Sequence, residues 1–312
     1  MLARFRDENA TVISGFGVPG VLLAPDVESV PSTRTHLLQL HDGRQLGWSE
    51  YGARHGYPIL YMHREGSCRL DAGFFDRFAR QAGFRLIAMD RPGLGASDYA
   101  VMDSAEQLAR DHQQLVSHLG LGRFGVMSWG GGSAFALALA HQLADRCTFA
   151  ALLDPVEQPS RLTGNRLLRR FFTLGLGTLL SVRKTGDLAR YFRRWREQLS
   201  DQERKYLDEE QVGSLLASIS AEALRQGAAG VAQDIWLGSG GCKPVDHRLS
   251  VPVHVWSART SVLDEGERLA RHSIRGHKQL LAGHIVSQVF EVLRASQRQS
   301  AVSPDRGDRQ RR

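Results

Sequence analysis

Between residues 58 and 153, short apolar runs of strand length alternate with longer stretches whose apolar residues recur at helical spacing. The runs are Pro58-Ile-Leu-Tyr-Met-His63, Arg85-Leu-Ile-Ala-Met-Asp90, Phe124-Gly-Val-Met-Ser128 and Phe149-Ala-Ala-Leu-Leu153. Between them, residues 70–82 set Phe74, Phe75, Phe78 and Ala79 on one side of a helix, and helical segments follow at 105–119 and 134–143. A run that is apolar at every step suits a strand buried on both faces, as in a parallel sheet. Strand–helix–strand units of this length close right-handed and place helices on both sides of that sheet. An opening hairpin, His36–His41 and Gln45–Tyr51 around the turn dipeptide Asp42-Gly43, adds an antiparallel edge.

From about 157 to 247 the rhythm is helical only, with segments expected at 167–180 and 187–199. Strands then resume at Val251-Pro-Val-His-Val-Trp256, followed by a helix near 264–272, a short strand at 278–281 and a last helix from 285 to about 295. The pattern predicts a sheet core from 35–156 and 248–297, interrupted by a helical lid at 157–247. An extended arm, 1–34, precedes it, and a polar basic tail, 298–312, follows and is expected to be disordered.

Three motifs give the pattern a family. The strand ending at Asp90 runs into Asp90-Arg-Pro-Gly-Leu-Gly-Ala-Ser-Asp98. The strand from Phe124 reaches a tight turn, Ser128-Trp129-Gly130-Gly131-Gly132, before a helix. The strand from Pro58 ends in Tyr61-Met-His63-Arg64-Glu65-Gly66-Ser67-Cys68-Arg69. Together they resemble the α/β-hydrolases, most nearly bacterial members that read D-R-P-G-x-G-x-S-D, G-W-S-G-G and Y-L-H-G-T-P-G-S-R at these places. The resemblance covers roughly 35–297 and implies an α/β-hydrolase fold: a mostly parallel central sheet, helices on both faces and a helical lid. It further implies a nucleophile elbow, where small residues flank a strained turn carrying the catalytic serine. Here the spacing survives, but the serine position is Gly130. Arg64 and Glu65 stand where small residues shape the oxyanion hole, so His63, Arg64, Glu65, Trp129 and Gly131 are the expected pocket and oxyanion residues.

The family's histidine follows the last strand in a G-H context, which Gly283-His284 matches. Its usual acid position, read from Trp256, holds Ser261. Asp154, at the end of the strand after the elbow helix, is an alternative partner that would fix the His284 tautomer; a turn carboxylate before Pro155 is the plainer reading. Asp264 stands three residues beyond the acid position, where it also suits a helix cap. Ser128 or Ser133 as nucleophile would set Val126 or Phe135 two residues away, where the turn needs small side chains. Cys68 reads as a displaced thiol or, more simply, as a small core residue. Asp90-Arg91 and His63 read as structural hydrogen-bonding groups.

Composition narrows the function classes. The chain is 42% hydrophobic, lacks an apolar run of membrane-spanning length and carries three scattered cysteines, which gives no disulfide framework and no metal spacing. Nothing at the N-terminus reads as a signal peptide, so the cytoplasm is the expected location. Twelve Lys/Arg against four Asp/Glu between Arg161 and Lys205 make the expected lid basic, yet no nucleic-acid motif accompanies them. Three functions follow as expectations. The first is a pseudo-hydrolase binding a small hydrophobic molecule. The second is a non-serine hydrolase, lyase, isomerase or cyclase using His284 as general base. The third is an interaction protein acting through its basic lid. No cofactor and no metal is expected, and a homodimer is left open.

Overall fold

The computed structural model describes residues 34–155, 210–238, 249–256, 274–277 and 285–302. Eight strands form one sheet: β1 (His36–Gln39), β2 (Gln45–Gly52), β3 (Tyr57–Met62), β4 (Phe84–Met89), β5 (Phe124–Trp129), β6 (Cys147–Leu153), β7 (Val253–Trp256) and β8 (Ile274–His277). Their spatial order is β1-β2-β4-β3-β5-β6-β7-β8. The expected hairpin pairs β1 with β2 antiparallel, and β2 joins β4 antiparallel; every other neighbour is parallel.

Successive strand residues feed opposite layers, as the two-residue period of a strand dictates. Leu60 and Met62 of β3 and Val126 of β5 pack with Leu108, Leu115 and Leu139 on one face. Those leucines belong to α2 (Ala105–His118) and α3 (Ser133–Gln142). Ile59, Tyr61, Met127 and Trp129 point the other way, against Phe75, Ala79, Phe290 and Leu293. That layer is built by α1 (Asp76–Ala82) and by the chain's final described helix (Ile285–Val302).

Two helices of the insertion are described, α4 (Glu210–Ala223) and α5 (Ala228–Trp236), and the final helix is therefore α6. The arm, the helices expected at 167–180, 187–199 and 264–272, and the basic stretch Arg161–Lys205 lie outside the described residues. Among the described residues no helix is long and apolar enough to cross a membrane.

Two expectations change and one strand is added. The helix expected over 70–82 divides into a 3-10 segment, Arg69–Phe75, and α1. The tighter turn sends Arg69 to Asp90 and Asp71 to Tyr61 and Arg64. A strand absent from the expectations, β8 at Ile274–His277, pairs with β7 from Val253 to Trp256, and the strand expected at 278–281 lies outside the described residues. The last helix continues to Val302, so residues 298–302 of the expected tail are helical.

Candidate functional site

The parallel register brings the three motif strands to one level. Tyr61 pairs with Ala88 and Met62 with Ser128, so the chain beyond each strand end emerges at the same edge. Trp129 pairs with Leu153, and one step further the Asp154 N–H donates to the Trp256 carbonyl at 2.6 Å. Gly130, Asp154 and the loop after His63 thus leave the same end of the sheet, where doubly wound folds place their sites.

The elbow is a strained turn built without a side chain at its apex. Gly130 has φ +54°, a left-handed conformation that costs an L-residue free energy but not glycine. Two residues on, a Cβ at Gly132 would lie 2.5 Å from the Met62 carbonyl oxygen, so the elbow and β3 need a small residue there. Ser133 is ordinary right-handed helix, and its hydroxyl donates to the Gly130 carbonyl at 2.8 Å, while Ser128 Oγ lies 3.2 Å from it. Both serines are buried and brace the turn from beneath.

The oxyanion region is where the structure adds most. The Gly131 N–H, at the start of the elbow helix, donates to Glu65 Oε2 at 2.6 Å. That amide is the one an oxyanion would use, and a helix start is a natural seat for negative charge. A Cβ placed on Gly130 would come within 2.9 Å of the same carboxylate oxygen. Burial raises the Glu65 carboxyl above the usual carboxylate range and Asp234 adds to it, against the opposing Gly131 N–H and Arg64. From above, Gly238 closes on the elbow: a Cβ on Gly131 would stand 2.9 Å from the Gly238 Cα.

Arg64 does not pair with Glu65. It donates to Asp71 from Nε (3.0 Å) and from its terminal nitrogen (2.6 Å), and its guanidinium lies 4.0 Å from the centre of the Trp129 ring. Trp129 itself is buried, edge-on to Phe74 and Phe75. His63 is fully buried; its Nδ1–H donates to the Arg64 carbonyl (2.8 Å) and its Nε2 accepts from the Arg91 N–H (3.4 Å). Burial and then the Arg91 charge hold His63 well below the usual imidazole range, so it is neutral and structural, as the sequence suggests.

One site residue was not foreseen. Asp234, on α5, accepts from Arg91 Nη2 at 2.8 Å and from the Gly66 N–H at 2.7 Å. Arg91 also donates to the carbonyls of His63 and Arg64. One helix of the insertion is thereby tied to the oxyanion loop and to the Asp90-Arg91 motif across 143 residues of sequence. An acidic residue inside a run that is apolar apart from its neighbour Gln233, Ala228–Trp236, was the available signal.

Asp154 is buried, with φ +41°, the single left-handed residue other than glycine among those described. Asp tolerates this conformation better than most residues. His284, Asp264 and Ser261 lie outside the described residues, so the expected Asp154–His284 pair is an open expectation. Cys68 is buried with its thiol pushed up by burial, which suits a core residue rather than a nucleophile. Among the described residues no group of three His, Cys, Asp or Glu side chains could hold a metal ion.

The family model described as the alpha/beta hydrolase fold matches residues 55–210. A search of curated proteins found no match. Among solved structures, a hydrolase from Pseudomonas aeruginosa PA01 superposes with a TM-score of 0.62 at 16% identity, over 86% of this chain and 99% of the other. Epoxide hydrolase CorEH without ligand gives a TM-score of 0.58 at 20% identity, over 84% of this chain and 95% of the other. A thermophilic esterase from Thermogutta terrifontis gives 0.59 at 19% identity, over 86% and 99%. With its strand order, its Asp90–Asp98 loop and its glycine elbow, the chain belongs to the alpha/beta hydrolase fold family.

Proposed function

We propose that this protein is an α/β-hydrolase homologue that performs no serine-hydrolase chemistry and instead binds a small hydrophobic molecule between the sheet and its helical insertion. The observation that carries the reading is the bond from the Gly131 N–H to Glu65 Oε2. A tetrahedral intermediate needs an attacking hydroxyl and a free amide for its oxyanion. At this elbow the apex residue is glycine, and the amide is engaged by the protein's own carboxylate. The division into a core and a lid over 157–247 belongs to the same reading. It draws support from α5, which is bound through Asp234 to Arg91 and to Gly66 of the loop after β3.

The test has two arms on the full-length chain. Turnover of p-nitrophenyl acetate and butyrate should not exceed the buffer rate. Native mass spectrometry of freshly purified protein should reveal a co-purifying apolar small molecule. Ester turnover that titrates with enzyme concentration would defeat the first half. Loss of every bound species, with no apolar compound raising the melting temperature, would defeat the second.

A further inference from the structure

The loop that follows β4, Asp90–Met102, meets the insertion along its whole length. At its start, Arg69 Nη1 bridges Asp90 (2.5 Å) and Glu222 of α4 (2.7 Å). Next, Arg91 pairs with Asp234 of α5, which also accepts from the Gly66 N–H. Gly93 then meets Gly230 backbone to backbone: a Cβ on Gly230 would collide with the Gly93 carbonyl oxygen. Gln226, between the two helices, donates to the carbonyls of Gly95 (2.8 Å) and Ser97 (2.6 Å). At the far end the Gln233 side chain donates to the Ala100 carbonyl at 2.9 Å and accepts from the Met102 N–H at 3.0 Å, as a neighbouring strand would. Both buried polar residues of α5, Gln233 and Asp234, are thus directed at this loop.

We propose that α4 and α5 are a fixed wall of the protein rather than the moving part of a lid, clamped by the Asp90–Met102 loop so that they open only when the sheet itself unfolds. This goes beyond the reading above of a ligand between sheet and insertion: such a ligand comes and goes with these two helices in place. Segments that open by themselves have few buried apolar contacts. Here Leu215, Ile219 and Ala223 of α4 and Val231 and Ile235 of α5 share one apolar cluster with Tyr61, Phe75 and Trp129. Trp236, which ends α5, and Leu237 join the opposite cluster with Leu60 and Leu139. The pair of helices is therefore continuous with both layers of the core. Parting it from the loop would also take Asp234 from Arg91, and breaking a buried ion pair from one side is strongly unfavourable. The Asp90-Arg91 motif thereby holds two helices that lie more than a hundred residues further along the chain.

The experiment is native-state hydrogen exchange on the full chain without added ligand, read by mass spectrometry of peptides. Peptides from α5 and the second half of α4 should reach protection factors within about threefold of those from β3 and β5, the two central strands. Gln233→Ala removes two bonds to the loop without leaving a buried charge. It should lower the protection of α5 and of β5 alike, by at least about fivefold. Helices protected at least about tenfold less than the strands in the unaltered protein would show that they open on their own, and would overturn the proposal. A Gln233→Ala loss confined to α5, or no loss at all, would overturn it too. Any of these results would leave the absence of serine chemistry as it stands.

Discussion

Restoring a hydroxyl at the elbow should be costly in this protein, and the cost should depend on Glu65. A serine at 130 must adopt φ near +54°, a left-handed strain worth ~1–3 kcal/mol. Its Cβ would also stand 2.9 Å from Glu65 Oε2, closer than real contacts allow. The carboxylate must then leave the Gly131 N–H, forfeiting a charge-assisted bond worth ~1.5–3 kcal/mol. Gly130→Ser should therefore destabilise the protein by about 2.5–6 kcal/mol, the sum of strain and lost bond. In a Glu65→Ala background the second contribution is already gone, and only the strain, ~1–3 kcal/mol, should remain. Urea denaturation of the parent, both single variants and the double variant closes the cycle. A coupling of ~1.5–3 kcal/mol is expected; costs equal within about 0.5 kcal/mol in both backgrounds would show that Glu65 does not occupy this space.

Two further outcomes follow from buried charges near the site. Asp234→Ala leaves Arg91 buried without its carboxylate and should cost ~3–5 kcal/mol in urea denaturation, while replacing both partners by Met and Leu should cost less than either single change. His112, buried on α2, is lowered by burial to about 4. Its folded value lies below its unfolded one, so it contributes stability above pH ~6.5 that is lost as pH falls toward 4. The loss is on the order of 3 kcal/mol, and a His112→Gln variant should show a correspondingly flatter stability profile between those pH values.

Much of the fold is legible because it rests on local pattern. The alternation Ile59, Leu60, Tyr61, Met62 assigns each residue to its face before any partner is known, and the glycines at 130–132 mark a turn that few other residues can make. The crowding of Arg64 and Glu65 at the oxyanion loop was equally visible, since large charged residues replace small ones. Their partners were not. Arg64 chooses Asp71 over adjacent Glu65 because a 3-10 turn carries Asp71 inward, and that turn depends on packing rather than spacing. Asp234 meets Arg91 only once α5 lies over the sheet edge, a contact that no local periodicity encodes. β8 was not foreseen for a related reason: Ile274-Arg-Gly-His277 carries no strand pattern and finds its place only by pairing with β7.

The central claim is that no serine acts as nucleophile at this elbow, and intact-mass spectrometry after treatment with a fluorophosphonate probe tests it most directly. The native protein should show no mass addition, because Gly130 has no side chain and Ser128 and Ser133 are buried beneath the turn. A stoichiometric adduct mapped by proteolysis to Ser128 or Ser133 would contradict the account.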